Sequence, residues 1–257
     1  MKYDFTTLLN RKGHDALALD VLPIKDVEVD PNFSTIPMWV ADMNYPVFEN
    51  IQKQMIERII EPHFGYFEMP EDYYKAIQFW QKETHGIDVE KEAIGYENGV
   101  LGGVVSALNV LCSKGDSVLL HSPTYIGFTK SLTNNGYHIV HSPLVKDENN
   151  VYRMDFEDME KKIIEKKPPI MIFCNPHNPV GRVWSRQELE QVADICLRHG
   201  VFLIADEIHA DLILPGHSFV SMASLEEKYL RNCAVSTSCT KTFNIAAIKG
   251  AAVVMAG

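Results

Sequence analysis

Three polar motifs in the second half of the chain carry side chains suited to chemistry: Ser238-Cys-Thr-Lys241-Thr-Phe-Asn244, Asp206-Glu-Ile-His209 and Asn175-Pro-His-Asn178-Pro-Val-Gly181. Each follows a short apolar run that reads as a buried strand, so an amine, a carboxylate and an amide are delivered to strand ends. Lys241 is flanked by Ser and Thr rather than by the charged neighbours of an exposed helix face. An imine-forming amine must be partly neutral, which a desolvated site or nearby positive charge achieves. Asp206 ends the run Val201-Phe-Leu-Ile-Ala205, and beside a pyridine nitrogen it would keep that nitrogen protonated. Asn178 lies between two prolines, in a rigid loop that fixes its amide. A lysine for a Schiff base, an acid for a ring nitrogen and donors for a phenolate and a phosphate are what pyridoxal 5'-phosphate requires.

Taken singly, each group has a plainer reading: a surface lysine in a Ser/Thr loop, an aspartate capping a strand end, a turn asparagine. Gly99-Val-Leu-Gly102-Gly103 opens a helix whose free N–H groups suit a phosphate, although a glycine cluster alone is weak evidence. Tyr125, in His121-Ser-Pro-Thr-Tyr125, fits a ring stacked on a flat cofactor as well as it fits a core. His209 supports Asp206 or a ring oxygen, or is a structural histidine. Ser238-Cys-Thr-Lys241 also matches the Ser-x-x-Lys of penicillin-binding enzymes, but Ser-Asp-Asn is absent and Phe243 stands where that family needs glycine. His209-Ala-Asp211 has no further ligands at metal-site spacing, so no metal is expected. The order of the groups, each at a strand end of one inferred sheet, carries the argument that none carries alone.

The elements that must position them alternate. The first 45 residues are irregular, broken by Pro23, Pro31, Pro37 and Pro46. Helices are expected over 47–61, 71–85, 100–114, from Thr124, over 155–166 and over 186–199, the last opened by the capping box Ser185-Arg-Gln-Glu188. Strands are expected over 117–122, 138–142, 170–174, 201–206, 233–237 and 251–255. Apolar strands between helices indicate an α/β fold: three layers, α/β/α, around a mostly parallel sheet. Ligands bind beyond the carboxyl ends of such strands. The last residues, Gly250 to Gly257, read as a buried-type strand with no closing helix, and the chain is expected to be truncated.

With 257 residues, 46% hydrophobic and 23% charged, the chain is long enough for a sizeable core and composed like a soluble protein. A net charge of -10 argues against nucleic acid or an anionic membrane as the main partner. No apolar run approaches the ~20 residues of a membrane helix. The five cysteines form no C-x-x-C pair, and the N-terminus lacks a signal-peptide pattern; a cytoplasmic enzyme is expected.

On these motifs the chain resembles the fold type I enzymes of the class I/II aminotransferase superfamily, and within them the MalY/PatB-like cystathionine beta-lyases, which cleave carbon–sulfur bonds. The marks of that branch are Pro37-Met-Trp-Val-Ala-Asp-Met43, His63-Phe-Gly-Tyr66, Trp80 with His85-Gly86, Asp206-Glu-Ile-His209 and Lys241-Thr-Phe-Asn-Ile245. The resemblance implies pyridoxal 5'-phosphate carried on Lys241, which then removes the Cα proton. It implies Asp206 on the pyridinium nitrogen, Asn178 on the ring oxygen with His209 close by, and Tyr125 stacked on the ring. Backbone N–H groups of Val100 and Leu101, the Ser238 hydroxyl and Lys249 would hold the phosphate. Tyr66 would reach the neighbouring subunit's phosphate in a homodimer, and Trp39, Ala41 and Asp42 would border the substrate carboxylate. The chemistry implied is β-elimination of L-cystathionine or a related cysteine S-conjugate to a thiol, pyruvate and ammonia. Residues 1–45 would belong to a small domain and 46–257 to the cofactor-binding large domain. The remainder of the small domain, with its carboxylate-binding arginine, is expected to be missing, so that the chain by itself is a weak catalyst. The alternatives are an aminotransferase and a non-catalytic regulatory protein on the same fold.

Overall fold

The computed structural model describes residues 3–22, 24, 28, 30, 32 and 36–255. Pro23 and Pro31, expected to break elements, lie outside them, as do Ala256 and Gly257. The chain divides into two units, Met1–Phe67 with Phe243–Ile248, and Glu68–Thr242 with Lys249–Gly257.

The first unit has one long helix, α1 (Glu49–Ile60), which matches the periodicity expected over 47–61 but buries none of its residues. Met55, Ile56, Ile59 and Ile60 are all exposed. Irregular chain around it is held by side chains instead. Tyr3 and Phe48 lie with ring centroids 4.5 Å apart, and Phe48 meets Phe243 edge-on at 5.9 Å. Arg11 grips both oxygens of Asp42 at 2.9 Å and reaches Asn44 Oδ1 through Nε at 2.8 Å. The Asn244 amide accepts from Met43 N–H and donates to Met43 C=O, both at 2.9 Å, as a strand neighbour would.

The second unit runs α2 (Glu71–Trp80), β1 (Ile94–Glu97), α3 (Val100–Leu111), β2 (Ser117–Ser122), α4 (Ile126–Asn134), β3 (His138–Pro143), α5 (Phe156–Lys166), β4 (Ile170–Cys174), α6 (Arg186–Arg198), β5 (Phe202–Asp206), β6 (Cys233–Thr237) and β7 (Ala251–Met255). The sheet order is β1-β7-β6-β5-β4-β2-β3. β2, β3, β4, β5 and β6 pair in parallel, while β7 runs antiparallel to both β1 and β6. The expected α/β/α architecture with a mostly parallel sheet is therefore the one observed.

Alternation along the strands makes two cores. Leu119, Met171, Phe173, Leu203 and Val235 pack with α5 and α6 through Met159, Ile163, Leu189 and Val192. Val118, Leu120, Ile170, Ile172 and Ile204 face the other way, against Val104 and Leu108 of α3 and Phe128 and Leu132 of α4. Each such side chain withdrawn from water contributes about 1.5–3 kcal/mol, so the sheet is clamped from both sides. α6 begins as expected: the Ser185 hydroxyl accepts from Glu188 N–H at 3.3 Å, and Glu188 Oε2 accepts from Ser185 N–H at 2.8 Å. Two elements differ from expectation. The helix expected over 71–85 ends at Trp80 and continues as a wider π-turn, Gln81–His85, closed by Gly86 at φ 69°. The strand β1, short and interrupted by Gly95, has no alternating pattern and is made by its pairing with β7.

Candidate active site

The winding of the sheet reverses at β2, which leads through α4 to β3 on one side while β4 lies on the other. Ligands of open α/β sheets bind at the carboxyl ends beside such a reversal. The chain delivers Tyr125 after β2, Asn178 after β4, Asp206 at the end of β5 and Lys241 after β6. The register Cys174↔Asp206↔Ser236 places the tips of the three central strands in one row.

Asp206 is buried, and its Oδ1 accepts the Ile208 N–H at 3.0 Å. Desolvation pushes its carboxyl up to about 6, opposed by that hydrogen bond and by the charge of Lys241. Burial, and then the same Lys241 charge, pull His209 below the usual imidazole range. Burial and the negative charge of Asp206 raise the Tyr125 phenol. Lys241 thus lies within electrostatic reach of Asp206 and His209, and Asp206 within reach of Tyr125. Lys241 itself is half-buried, on the one-turn helix Cys239–Thr242.

Asn178 is half-buried in a loop pinned by its neighbours. Asn175 takes Trp184 N–H on its oxygen at 3.3 Å and gives its amide to Val220 C=O at 2.9 Å. Trp184 Nε1 donates to Cys174 C=O at 3.0 Å. His121 on β2 and His177 in the loop itself are buried, each pulled down to about 4, chiefly by desolvation.

A second cluster forms where β7 meets its neighbours. Because β7 is antiparallel, its amino end arrives beside the carboxyl ends of β1 and β6, and this gathers the start of α3, Ser238 and Lys249. Gly99 precedes α3 at φ 83°, a conformation that strains any L residue, and a Cβ there would stand 3.6 Å from Lys249 C=O. Val100 and Leu101 begin the helix, so their N–H groups have no partner within it. Ser238 Oγ accepts from Thr240 N–H at 3.2 Å and donates to Gly250 C=O at 2.6 Å. N–H groups without helical partners and a hydroxyl already bonded to Gly250 C=O thus stand at one edge of the sheet.

Sequence reasoning missed Gly127. A Cβ on it would lie 2.3 Å from Tyr125 Cε1, so the ring rests directly on the glycine. It also missed Glu207, buried behind Asp206, which accepts from Ser221 Oγ at 2.6 Å and Met222 N–H at 2.7 Å. Desolvation pushes the Glu207 carboxyl up to about 8. Trp39, Ala41, Asp42 and Tyr66 belong to the first unit: Trp39 Nε1 donates to Ala18 C=O at 3.3 Å, Asp42 pairs with Arg11, and Tyr66 is fully exposed.

Residues 40–256 match the family described as aminotransferase class I and II. The chain is 37% identical over 220 residues to the cystathionine beta-lyase PatB of Bacillus subtilis, covering 86% of this chain and 57% of that protein. It is 28% identical over 250 residues to the protein MalY of Escherichia coli, covering 97% and 62%. The crystal structure of cystalysin from Treponema denticola, which contains a pyridoxal 5'-phosphate cofactor, superposes with a TM-score of 0.91 at 32% identity, covering 99% of this chain and 64% of that one. The chain therefore spans roughly three fifths of the length of these relatives.

Proposed function

This chain belongs to the family of class I and II aminotransferases, and from that premise we propose that it serves as a pyridoxal 5'-phosphate-dependent carbon–sulfur β-lyase. When bound, that cofactor supplies an aldehyde that captures amines and a ring that takes up the electron pair left at Cα. Lys241 would anchor it through its amine and, when that amine is free, would take the Cα proton. Asp206 holds a proton on the ring nitrogen; a carboxylate buried on a strand tip gains most from a cation placed against it. Asn178 donates to the ring oxygen with His209 close by, and Tyr125, seated on Gly127, covers one ring face. The N–H groups of Val100 and Leu101 and the Lys249 ammonium take the phosphate; Ser238 joins them by releasing Gly250.

Loss of the Cα proton would let a thiolate leave Cβ of L-cystathionine or another cysteine S-conjugate and take up a proton, and one water would hydrolyse the remaining unsaturated amine to pyruvate and ammonia. Trp39, Ala41 and Asp42 border the substrate carboxylate in this reading. The same proposal includes a cytoplasmic homodimer in which the partner's Tyr66 reaches the phosphate, and a small-domain role for residues 1–45 beside a large domain over 46–257. The observation that supports the reading best is the register Cys174↔Asp206↔Ser236, which brings the strand ends that lead to Asn178, Asp206 and Lys241 into one row.

Pyruvate release from L-cystathionine with pyridoxal 5'-phosphate and no added keto acid is the test. Release that disappears in Lys241→Ala supports elimination. Amino-group transfer that appears only with a keto acid would move the chain to the transaminases of its family.

A further inference from the structure

Trp80, His85 and Thr242 take no part in the reaction outlined above, nor does Asp211, yet they converge. Asp211 ends the loop 207–211 that follows β5, five residues beyond Asp206. Its Oδ2 accepts from Thr242 Oγ1 at 2.6 Å. Trp80 Nε1, at the end of α2, reaches both carboxylate oxygens at 3.2 and 3.1 Å. His85 Nε2, at the end of the π-turn, lies 2.9 Å from Oδ1. The His85 and Asp211 side chains are only 9% and 13% exposed, so water competes little for these bonds.

Thr242 is the residue after Lys241 and the last of the helix Cys239–Thr242. A helix of one turn does not hold itself and takes its orientation from what grips its ends. The Ser238 hydroxyl grips the amino end through Thr240 N–H, and Asp211 grips the carboxyl end through Thr242. Successive helical residues point ~100° apart, so fixing the Thr242 side chain fixes the direction in which Lys241 leaves the backbone. The loop that carries Asp211 also carries His209 and directly follows Asp206, which ties the amine to the acid it serves. The π-turn contributes here too: it places His85 beside the carboxylate that Trp80 already holds.

We infer that Asp211 is a positioning residue for Lys241, acting through Thr242 and itself held by Trp80 and His85. The inference rests on the reading of Lys241 as the cofactor-bearing lysine. Asp211→Asn turns an amide N–H2 toward donors and can unfold the chain, so the deciding variants are Thr242→Val, nearly isosteric, and Thr242→Ser, which keeps the hydroxyl. Two readouts are taken on the full chain: the dissociation constant for pyridoxal 5'-phosphate, and the rate at which trinitrobenzenesulfonate labels Lys241 in the cofactor-free protein, followed by peptide mapping.

Thr242→Val is expected to weaken cofactor binding roughly tenfold, the worth of one hydrogen bond to a charged group, and to speed labelling of Lys241. Thr242→Ser is expected to restore both to the wild-type values. A valine variant indistinguishable from wild type in labelling and binding overturns the inference, as does a serine variant as impaired as the valine one. If the wild type binds no cofactor, the proposed function fails, while the labelling rates still decide the role of Asp211.

Discussion

Phe128 and Phe64 are one side chain in two settings. Phe128, in α4 of the second unit, is 1% exposed and packed into the core shared with β2 and β4. Phe64, in the first unit after α1, is 72% exposed, with the Arg58 guanidinium over its ring at 5.2 Å. The contrast holds across the units. In the second, apolar residues alternate along strands and are covered on both faces, and Asp206 at a strand tip is buried with the Ile208 N–H on its carboxylate. In the first, α1 buries nothing, and residues 39–44 depend on a few side-chain bonds from Arg11 and Asn244. Apart from Tyr66, the residues proposed to hold the cofactor thus stand at the ends of a packed sheet, and those proposed to meet the substrate stand on irregular chain.

Truncating the better-packed aromatic is the strongest way to test that contrast. Phe128→Ala is expected to destabilise the chain by about 3–5 kcal/mol, read as the midpoint of denaturant unfolding. Gly127→Ala comes next: its methyl would displace the Tyr125 ring, at a cost of about 1–3 kcal/mol, with weaker cofactor binding in the same titration. A Gly127→Ala protein that unfolds and binds like wild type would show that the ring has another seat.

Glu207 gives a subtler signal. Its folded pKa of about 8 lies above the 4.5 of the free side chain, so the folded state holds the proton more tightly. Its contribution is therefore present at low pH and is lost as pH rises from about 4.5 through about 8. His121 and His177, held at about 4, act in the opposite sense and lose stability as pH falls below 6.5. The difference between wild type and Glu207→Gln isolates the acid: the wild-type advantage should shrink as pH rises across that window. A difference independent of pH contradicts it. Smallest of all, Phe64→Ala is expected to cost below about 1 kcal/mol. A cost equal to that of Phe128→Ala would erase the distinction between the units.

The second unit was legible because its signals are local. Strands over 117–122, 170–174, 233–237 and 251–255 are apolar runs between turn residues, and the Ser185 capping box is written in four adjacent residues. What sequence could not show depends on distant partners. β1 exists because residues some 150 positions later pair with it, and the antiparallel direction of β7, which gathers Gly99, Ser238 and Lys249, has no local signature. Gly127 matters only once the Tyr125 ring folds back onto it. Asp211 is one acid among many until Trp80, His85 and Thr242 arrive. The apolar stripe of α1 was read correctly as helix, but periodicity does not say what a stripe faces.

The central claim is that Lys241, Asp206, Asn178 and Tyr125 form a site for pyridoxal 5'-phosphate. The most direct measurement is a titration of the chain with that cofactor, following the yellow absorbance of the lysine-bound form, beside Lys241→Ala. The account predicts a saturable band in the wild type that is absent from the variant. No band in the wild type, or the same band in both proteins, would contradict it.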